Sequence, residues 1–500
     1  HKSVSLRMFF SVFYYKNELL KLRRKVQIML IKSKEKITSS YDVIIVGSGL
    51  AGMTAANKLA KNGRKVLLLE SHNKLGGFAT WFKRREGNHI FDVSLHGFPV
   101  GMIKTCKKYW NRDIANSIVQ LKRVRFINPM YDLETEFTRE DFKDKLKNFF
   151  NLEEKSIDGF FNELEQMNFY DPPKLNNGEL FEKYFPGRKD VVRFLLEPIT
   201  YANGSNLEDP AITYGIVFSN FMSQGVFTFK GGTDVLIGKM KEELLSNGVD
   251  IRMHSRVEEI VVEEGKVCGV KINGDFVRGK SVLSNSNVMS TIFKLVGEKH
   301  FSKDYIEASR KVRLNTSSCQ VYMGIKEGES IPDVGDLLFY SEDPEYKSDW
   351  ILSPKVGSQT FSVYYPECRP HLKNRYAIVS SSNARYEDWK GLTLEEYEKQ
   401  KKYLEEKAIS ALEKLIPGVS EKIDFIDSAT PLTVEKYTLH DKGSSFGTKF
   451  EGLEISMNMH KEIKGLFHSG SVGIIMSGWL GAANYGVIQS HEVENYLGKD

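Results

Sequence analysis

The sequence is poor in the residues that build redox dithiols and metal sites. It has 4 cysteines in 500 residues, at 106, 268, 319 and 368, and no Cys-x-x-Cys pair. That spacing excludes a zinc ribbon and a dithiol active site; it reads as unpaired thiols in a reducing compartment, and no metal is expected. Proline is scarce beside glycine, 14 against 40, so chain reversals rest on glycine. Long apolar runs are missing too. The aromatic stretch Met8–Tyr15 falls well short of the ~20 residues a bilayer span needs. Residues 469–490 carry no charge, but they include five glycines and several hydroxyls and amides. They read as strand, loop and helix beneath a ligand, because small residues let backbone approach it.

Basic charge is missing from the body of the chain. The net charge is +5, yet the first 40 residues hold ten Lys/Arg and two Glu, so the remainder is slightly acidic. A broad nucleic-acid footprint is therefore not expected. In the arm, basic residues follow the aromatic run and no small-residue cleavage site appears, which does not read as a secretory signal. It reads as a basic amphipathic helix on an anionic membrane surface, with the protein peripheral on the cytoplasmic side. A solvated extension is the plainer alternative.

What is present is ordinary globular usage, 41% hydrophobic and 27% charged, over a length that suggests two to four packed units. The 31 Phe, 22 Tyr and 5 Trp can line a large apolar cavity as well as fill a core.

The strongest local signal is YDVIIVGSGLAGMTAANKLAKNGRKVLLLE. Val43–Val46 is an apolar run of the kind buried in parallel sheets. Gly47, Ser48, Gly49, Leu50, Ala51 and Gly52 then form G-x-G-x-x-G, an Ala-rich helix follows to Lys61, and a second strand Val66–Leu69 ends at Glu70 and Ser71. Gly47 permits the tight turn, and Gly49 lets backbone N–H groups approach a pyrophosphate at a helix N-terminus. Gly52 lets helix and strand pack closely, while Glu70 can accept from a ribose hydroxyl. The plainer alternative is a βαβ unit without ligand. Gly76, Gly77, Phe78 and Ala79 follow, and the glycine pair can bring a second backbone segment to the cofactor. No second G-x-G-x-x-G occurs, so FAD is expected without a separate nicotinamide domain.

These residues resemble the start of flavin amine oxidases and phytoene desaturase-like enzymes. Ile90–Phe98, with Asp92 and His96, resembles the FD-x-G-x-H segment of all-trans-retinol saturases; carotenoid isomerases have a similar FD-x-G. Further resemblances are Phe229–Thr233, Asp250–Val257 as the strand passing the adenine, and the hairpin at Val267–Val270. Thr430–Thr433 with Gly443–Gly447, Gly465–Ser471, and Gly478, Gly481 and Ala482 complete them. The chain departs from the family at Phe78, where related desaturases carry Arg, at Ser94 for Gly and at Lys230 for Pro. The resemblance implies FAD contacts at Val257, Gly470, Ser471, Gly478, Gly481 and Ala482.

It also implies an α/β fold: a Rossmann-like FAD-binding domain, residues 41–125, 225–300 and 425–500, interleaved with an α+β substrate-binding domain, residues 126–224 and 301–424. Residues 1–40 form the extension. Aromatic residues between 185 and 229 can line a tunnel or fill a core. Residues 394–415 read as an amphipathic surface helix.

FAD carries hydride, so the protein needs few acid–base groups of its own. His96 is the candidate proton donor or cation stabiliser, with a hydrogen-bonded structural histidine as the alternative. His468, on the expected last strand, reads as structural. Three functions remain. One is an oxidoreductase acting on C=C bonds of a polyene, carotenoid- or retinoid-like, or another long apolar lipid, exchanging electrons with a quinone, flavodoxin or ferredoxin. The others are an amine oxidase with a polar substrate and a non-catalytic flavin-containing membrane-associated protein.

Overall fold

The computed structural model describes Ile37 and residues 40–84, 89–94, 97–168, 171–372, 375–473, 475–476 and 478–498. Residues 1–36 and His96 fall outside these, so neither the arm nor the candidate catalytic histidine is placed.

Two seven-stranded sheets organise the chain. The first contains β1 (Tyr41–Val46), β2 (Val66–Leu69), β3 (Asp250–Arg252), β4 (Val257–Glu263), β5 (Lys266–Ile272), β6 (Asp275–Ser284) and β7 (Leu466–His468). Its parallel part runs β3-β2-β1-β6-β7. The ten-residue β6 serves two partners: its second half pairs with β1, and its first half leads antiparallel into β5 and β4. Val43, Ile44, Ile45 and Val66–Leu69 are buried on both faces, which is why both strands are continuous apolar runs.

Helix α1 (Leu50–Lys61) links β1 to β2, burying Met53, Ala55, Ala56 and Leu59, with Lys58 and Lys61 at its negative end. Helix α2 (Gly232–Ser246) precedes β3, and α3 (Gly478–Leu497) packs on α1. A side chain at Gly486 would place Cβ 2.2 Å from the Ala51 carbonyl, so only glycine allows that helix crossing. The described residues of 469–490 thus form the loop after β7 and most of α3. Among the described residues, no helix is long and apolar enough to cross a membrane.

The second sheet runs Ile423–Ala429, Ser317–Ile325, Ala377–Ala384, Ser358–Tyr364, Leu337–Ser341, Val124–Asn128, Tyr131–Thr135. Its outer face packs Cys319, Val321, Met323, Phe361 and Ile378 against Leu404, Ala408, Ala411 and Leu412 of helix Leu394–Leu415, which carries charge on its other side. A helical lobe covers one end of the sheet. There Phe185, Phe194, Tyr214 and Phe218 fill an apolar cluster with Phe126, Phe142 and Phe160. Phe227 and Phe229 pack in the core beside the first sheet. Of the aromatic residues at 185–229 read as tunnel or core, Tyr201 and Phe221 line the central cavity.

The chain passes between the two sheets several times, giving the interleaving anticipated from the sequence. Strand Ile423–Ala429 straddles the expected boundary at 424/425, because it pairs with Ser317–Ile325 of the second sheet. Val124–Asn128 likewise begins just before 126 and joins that sheet. Two buried ion pairs tie the halves. Asp92 binds Arg369 and also accepts from the Thr233 amide (2.9 Å) and hydroxyl (2.6 Å) at the start of α2. Lys449 pairs with Asp209 at 2.7 Å. The Asp92 of the FD segment is therefore a joint between α2 and the second sheet.

Candidate active site

The β1–α1 turn is built from backbone. Gly47 sits at φ +97°, a conformation that favours glycine. Gly49 precedes α1 with no side-chain cap, and the first turn of α1 contains no acid, so its free N–H groups and positive end remain open to an anion. Gly76 donates its amide to the Ser48 carbonyl (2.9 Å), and a Cβ on Gly77 would lie 3.0 Å from the Gly49 Cα. The glycine pair thus brings a second backbone segment against the turn. Glu70, at the end of β2, accepts from the Ser48 amide (3.0 Å) and hydroxyl (2.5 Å) and from the His72 amide (2.8 Å). This fixes its carboxylate at the rim of the turn.

A continuous cavity of ≈ 1810 Å³ opens from this turn. Of the sequence-derived residues, Gly47, Ser48, Gly49, Leu50, Ala51, Glu70, Ser71, Gly76, Gly77, Phe78, Ala79, Val257, Ser471, Gly478, Gly481 and Ala482 line it. Gly52 and Gly470 stand behind the lining. A Cβ on Gly52 would meet the Gly47 carbonyl at 2.4 Å, and one on Gly470 the Ser286 carbonyl at 2.4 Å, so both serve close packing. The Thr430–Thr433 element is a helix start: Thr430 caps helix Pro431–Thr438 in a capping box. Gly443 and Gly447 let their segment touch the carbonyls of Pro431 and Ser471, where a Cβ would lie at 2.1 and 2.0 Å.

Several lining residues were not singled out in the sequence. Asn285, after β6, donates its amide nitrogen to the Ser469 carbonyl (2.9 Å), while its Oδ1 and the Ser469 hydroxyl are buried without a partner. Unpaired polar atoms beside a cradle that a Cβ would fill fit a bound polar group. The signal was the SNSN run closing an apolar strand. His440 also lines the cavity, its ring 5.3 Å from that of Phe78. Its Nδ1 lies 2.9 Å from the Ser444 carbonyl. A carbonyl only accepts, so Nδ1 carries the proton and Nε2 is a bare acceptor; burial holds the ring below its ordinary pKa.

His468 is structural. Its Nε2 donates to the Ser286 carbonyl (2.9 Å), so Nδ1 accepts from Ser456 (2.5 Å), which in turn accepts from Tyr485 (2.5 Å). Burial pushes its pKa down to about 4. The four cysteines are free, and no cluster that could hold a metal lies among the described residues.

Beyond the turn, the cavity reaches the helical lobe and the inner face of the second sheet. Phe137, Pro198, Ile199, Tyr201, Val217, Phe221, Leu337 and Phe339 give it an apolar end. Its volume exceeds the ~300–1,000 Å³ of a site for one small ligand, so it has room for a cofactor and a substrate together.

Comparison with known proteins agrees with this layout. The family of flavin containing amine oxidoreductases matches residues 50–429. A prolycopene isomerase of Arabidopsis thaliana is 28% identical over 92% of this chain and 84% of its own. An all-trans-retinol 13,14-reductase of Danio rerio is 22% identical over 89% of this chain and 85% of its own. The crystal structure of an oxidoreductase from Methanosarcina mazei superimposes with a TM-score of 0.63 at 15% identity, covering 91% of this chain and all of that one.

Proposed function

The chain belongs to the flavin containing amine oxidoreductases, and from that premise we propose that it is an FAD-dependent oxidoreductase acting on C=C bonds of a conjugated, largely apolar lipid. The observation that carries this reading is the single cavity joining the glycine turn to an apolar end walled by Phe137, Phe221, Leu337 and Phe339. The names of the isomerase and reductase relatives, both acting on polyenes, support it.

The residues have separable tasks. The amides at the start of α1 and the Gly76–Gly77 segment would hold the pyrophosphate, Glu70 the ribose, and Val257 would flank the adenine. Asn285 Oδ1, the Ser469 hydroxyl and the start of α3 would hold the rest of the cofactor. When bound, the flavin supplies hydride transfer. The apolar walls exclude water and align the polyene. His440 Nε2 is placed to hold a proton at the cavity wall, and His96 is the second candidate for that task. With one dinucleotide site and no dithiol, net oxidation or reduction draws on an external quinone, flavodoxin or ferredoxin. Residues 1–40 attach the protein to an anionic membrane surface, so deleting residues 1–36 lowers binding to anionic vesicles.

The test is chromatography of the flavin released on denaturation, with product analysis after incubation with a conjugated polyene. FAD and a product altered at a double bond are expected. Turnover of amines with no change to any polyene selects the amine-oxidase reading.

A further inference from the structure

The inner face of the second sheet departs from an all-apolar lipid tunnel. One cross-strand row reads Phe339, Thr360, Ser381, Gln320, Ala429 over five strands, and every member lines the cavity. Its centre is hydroxyl, hydroxyl, amide. Ser318, whose hydroxyl meets that of Ser445 (2.8 Å), is on the same strand as Gln320, and Asn203 from helix Lys189–Asn203 lines the same cavity. The other face of the same strands is Cys319, Val321, Met323, Phe361 and Ile378, so alternation alone does not require polar side chains inward of the sheet.

Asn203 and Thr360 are 4% exposed and Gln320 is 8% exposed, while Ser381 is half-buried. Several retain unused hydrogen-bonding capacity. Asn203 accepts the Ser205 amide at Oδ1 (3.0 Å), and its Nδ2 is buried without a partner. Gln320 accepts the Tyr322 hydroxyl at Oε1 (2.6 Å), leaving its amide nitrogen unpaired among the described residues. The Ser381 hydroxyl likewise has no bond to a described residue, whereas that of Thr360 donates weakly to the Ser381 carbonyl (3.4 Å). Asn203 Nδ2 is a buried donor left unmade, which costs stability, and the Gln320 amide and Ser381 hydroxyl stand on the cavity wall with bonds still to make; both favour a ligand atom that completes them. Neither the row nor Asn203 and Ser318 contributes a charge.

We infer that the Thr360–Ser381–Gln320 row with Asn203 is a specificity subsite for a neutral oxygen function, hydroxyl or carbonyl, on the substrate. The substrate is then an amphiphile, with its chain against Phe339, Phe137 and Phe221 and its oxygen on the row. This rests on the proposed action on polyenes.

The test is equilibrium binding to the flavin-loaded protein, read by flavin fluorescence, using retinol, retinal and the hydrocarbon lacking retinol's hydroxyl. The alcohol and aldehyde should bind roughly 10- to 100-fold more tightly than the hydrocarbon, as expected for one or two added hydrogen bonds. Thr360→Val with Ser381→Ala should bring them toward the hydrocarbon's affinity while flavin stays bound. Gln320→Leu is the second variant, should that pair fail to retain flavin. Equal affinity for alcohol and hydrocarbon in the unmodified protein overturns the subsite and leaves the polyene reading standing. Failure of all three to bind overturns both.

Discussion

At the β1–α1 turn the groups offered to a ligand are backbone amides, whereas on the inner face of the second sheet they are side chains from chain-distant strands. Gly47, Gly49 and Gly77 act by having no side chain, and Glu70 is the main charged contribution there. Thr360, Ser381 and Gln320 act by having one, and they become neighbours only through pairing across three strands. The turn is a local device that tolerates almost no substitution. The second sheet is assembled at long range and can exchange its inner residues without losing its outer core.

The sharpest way to break that comparison is at the turn. Gly49→Trp should abolish flavin retention, measured as the flavin-to-protein ratio after gel filtration, because even a Cβ there lies 2.7 Å from Asn285 Oδ1. Next comes the joint between the sheets. Asp92→Asn leaves Arg369 buried without its counter-charge and should cost about 3–5 kcal/mol in denaturant unfolding.

Within the second sheet the two faces should differ. Met323→Ala, in the outer core, should cost about 2–5 kcal/mol. Ser381→Ala, on the cavity wall, should change stability by about 0.5 kcal/mol or less and act on ligand choice instead.

A further effect is set by pH at the back of the cofactor sheet. His468 is neutral when folded, with its pKa pushed down to about 4, and ordinary near 6.5 when unfolded. The unfolded chain therefore takes up the proton first. Stability is complete above about pH 6.5 and falls as pH drops toward 4, by about 2 kcal/mol at pH 5. Unfolding of His468→Gln at pH 7 and pH 5 should show a smaller difference than the unmodified protein.

The same contrast explains what the sequence revealed. The turn, α1, β2 and Glu70 were legible because each task falls within 30 consecutive residues and needs a particular residue type. Helix Leu394–Leu415 was legible from its own periodicity. The polar row was not, since Thr360, Ser381 and Gln320 look like ordinary strand residues until register places them side by side. His440 was hidden similarly: its place beside Phe78 depends on Gly443 and Gly447 folding their segment onto Pro431 and Ser471. Asp92 was visible as part of a motif, but its bond to Arg369 spans 277 residues.

The central claim is that flavin and an apolar polyene meet in one cavity between these two sheets. Anaerobic titration of the flavin-loaded protein, following the visible flavin bands, tests it most directly. The account predicts a saturable spectral shift with conjugated polyenes and none with simple amines. Bleaching by amines with no response to any polyene would contradict it.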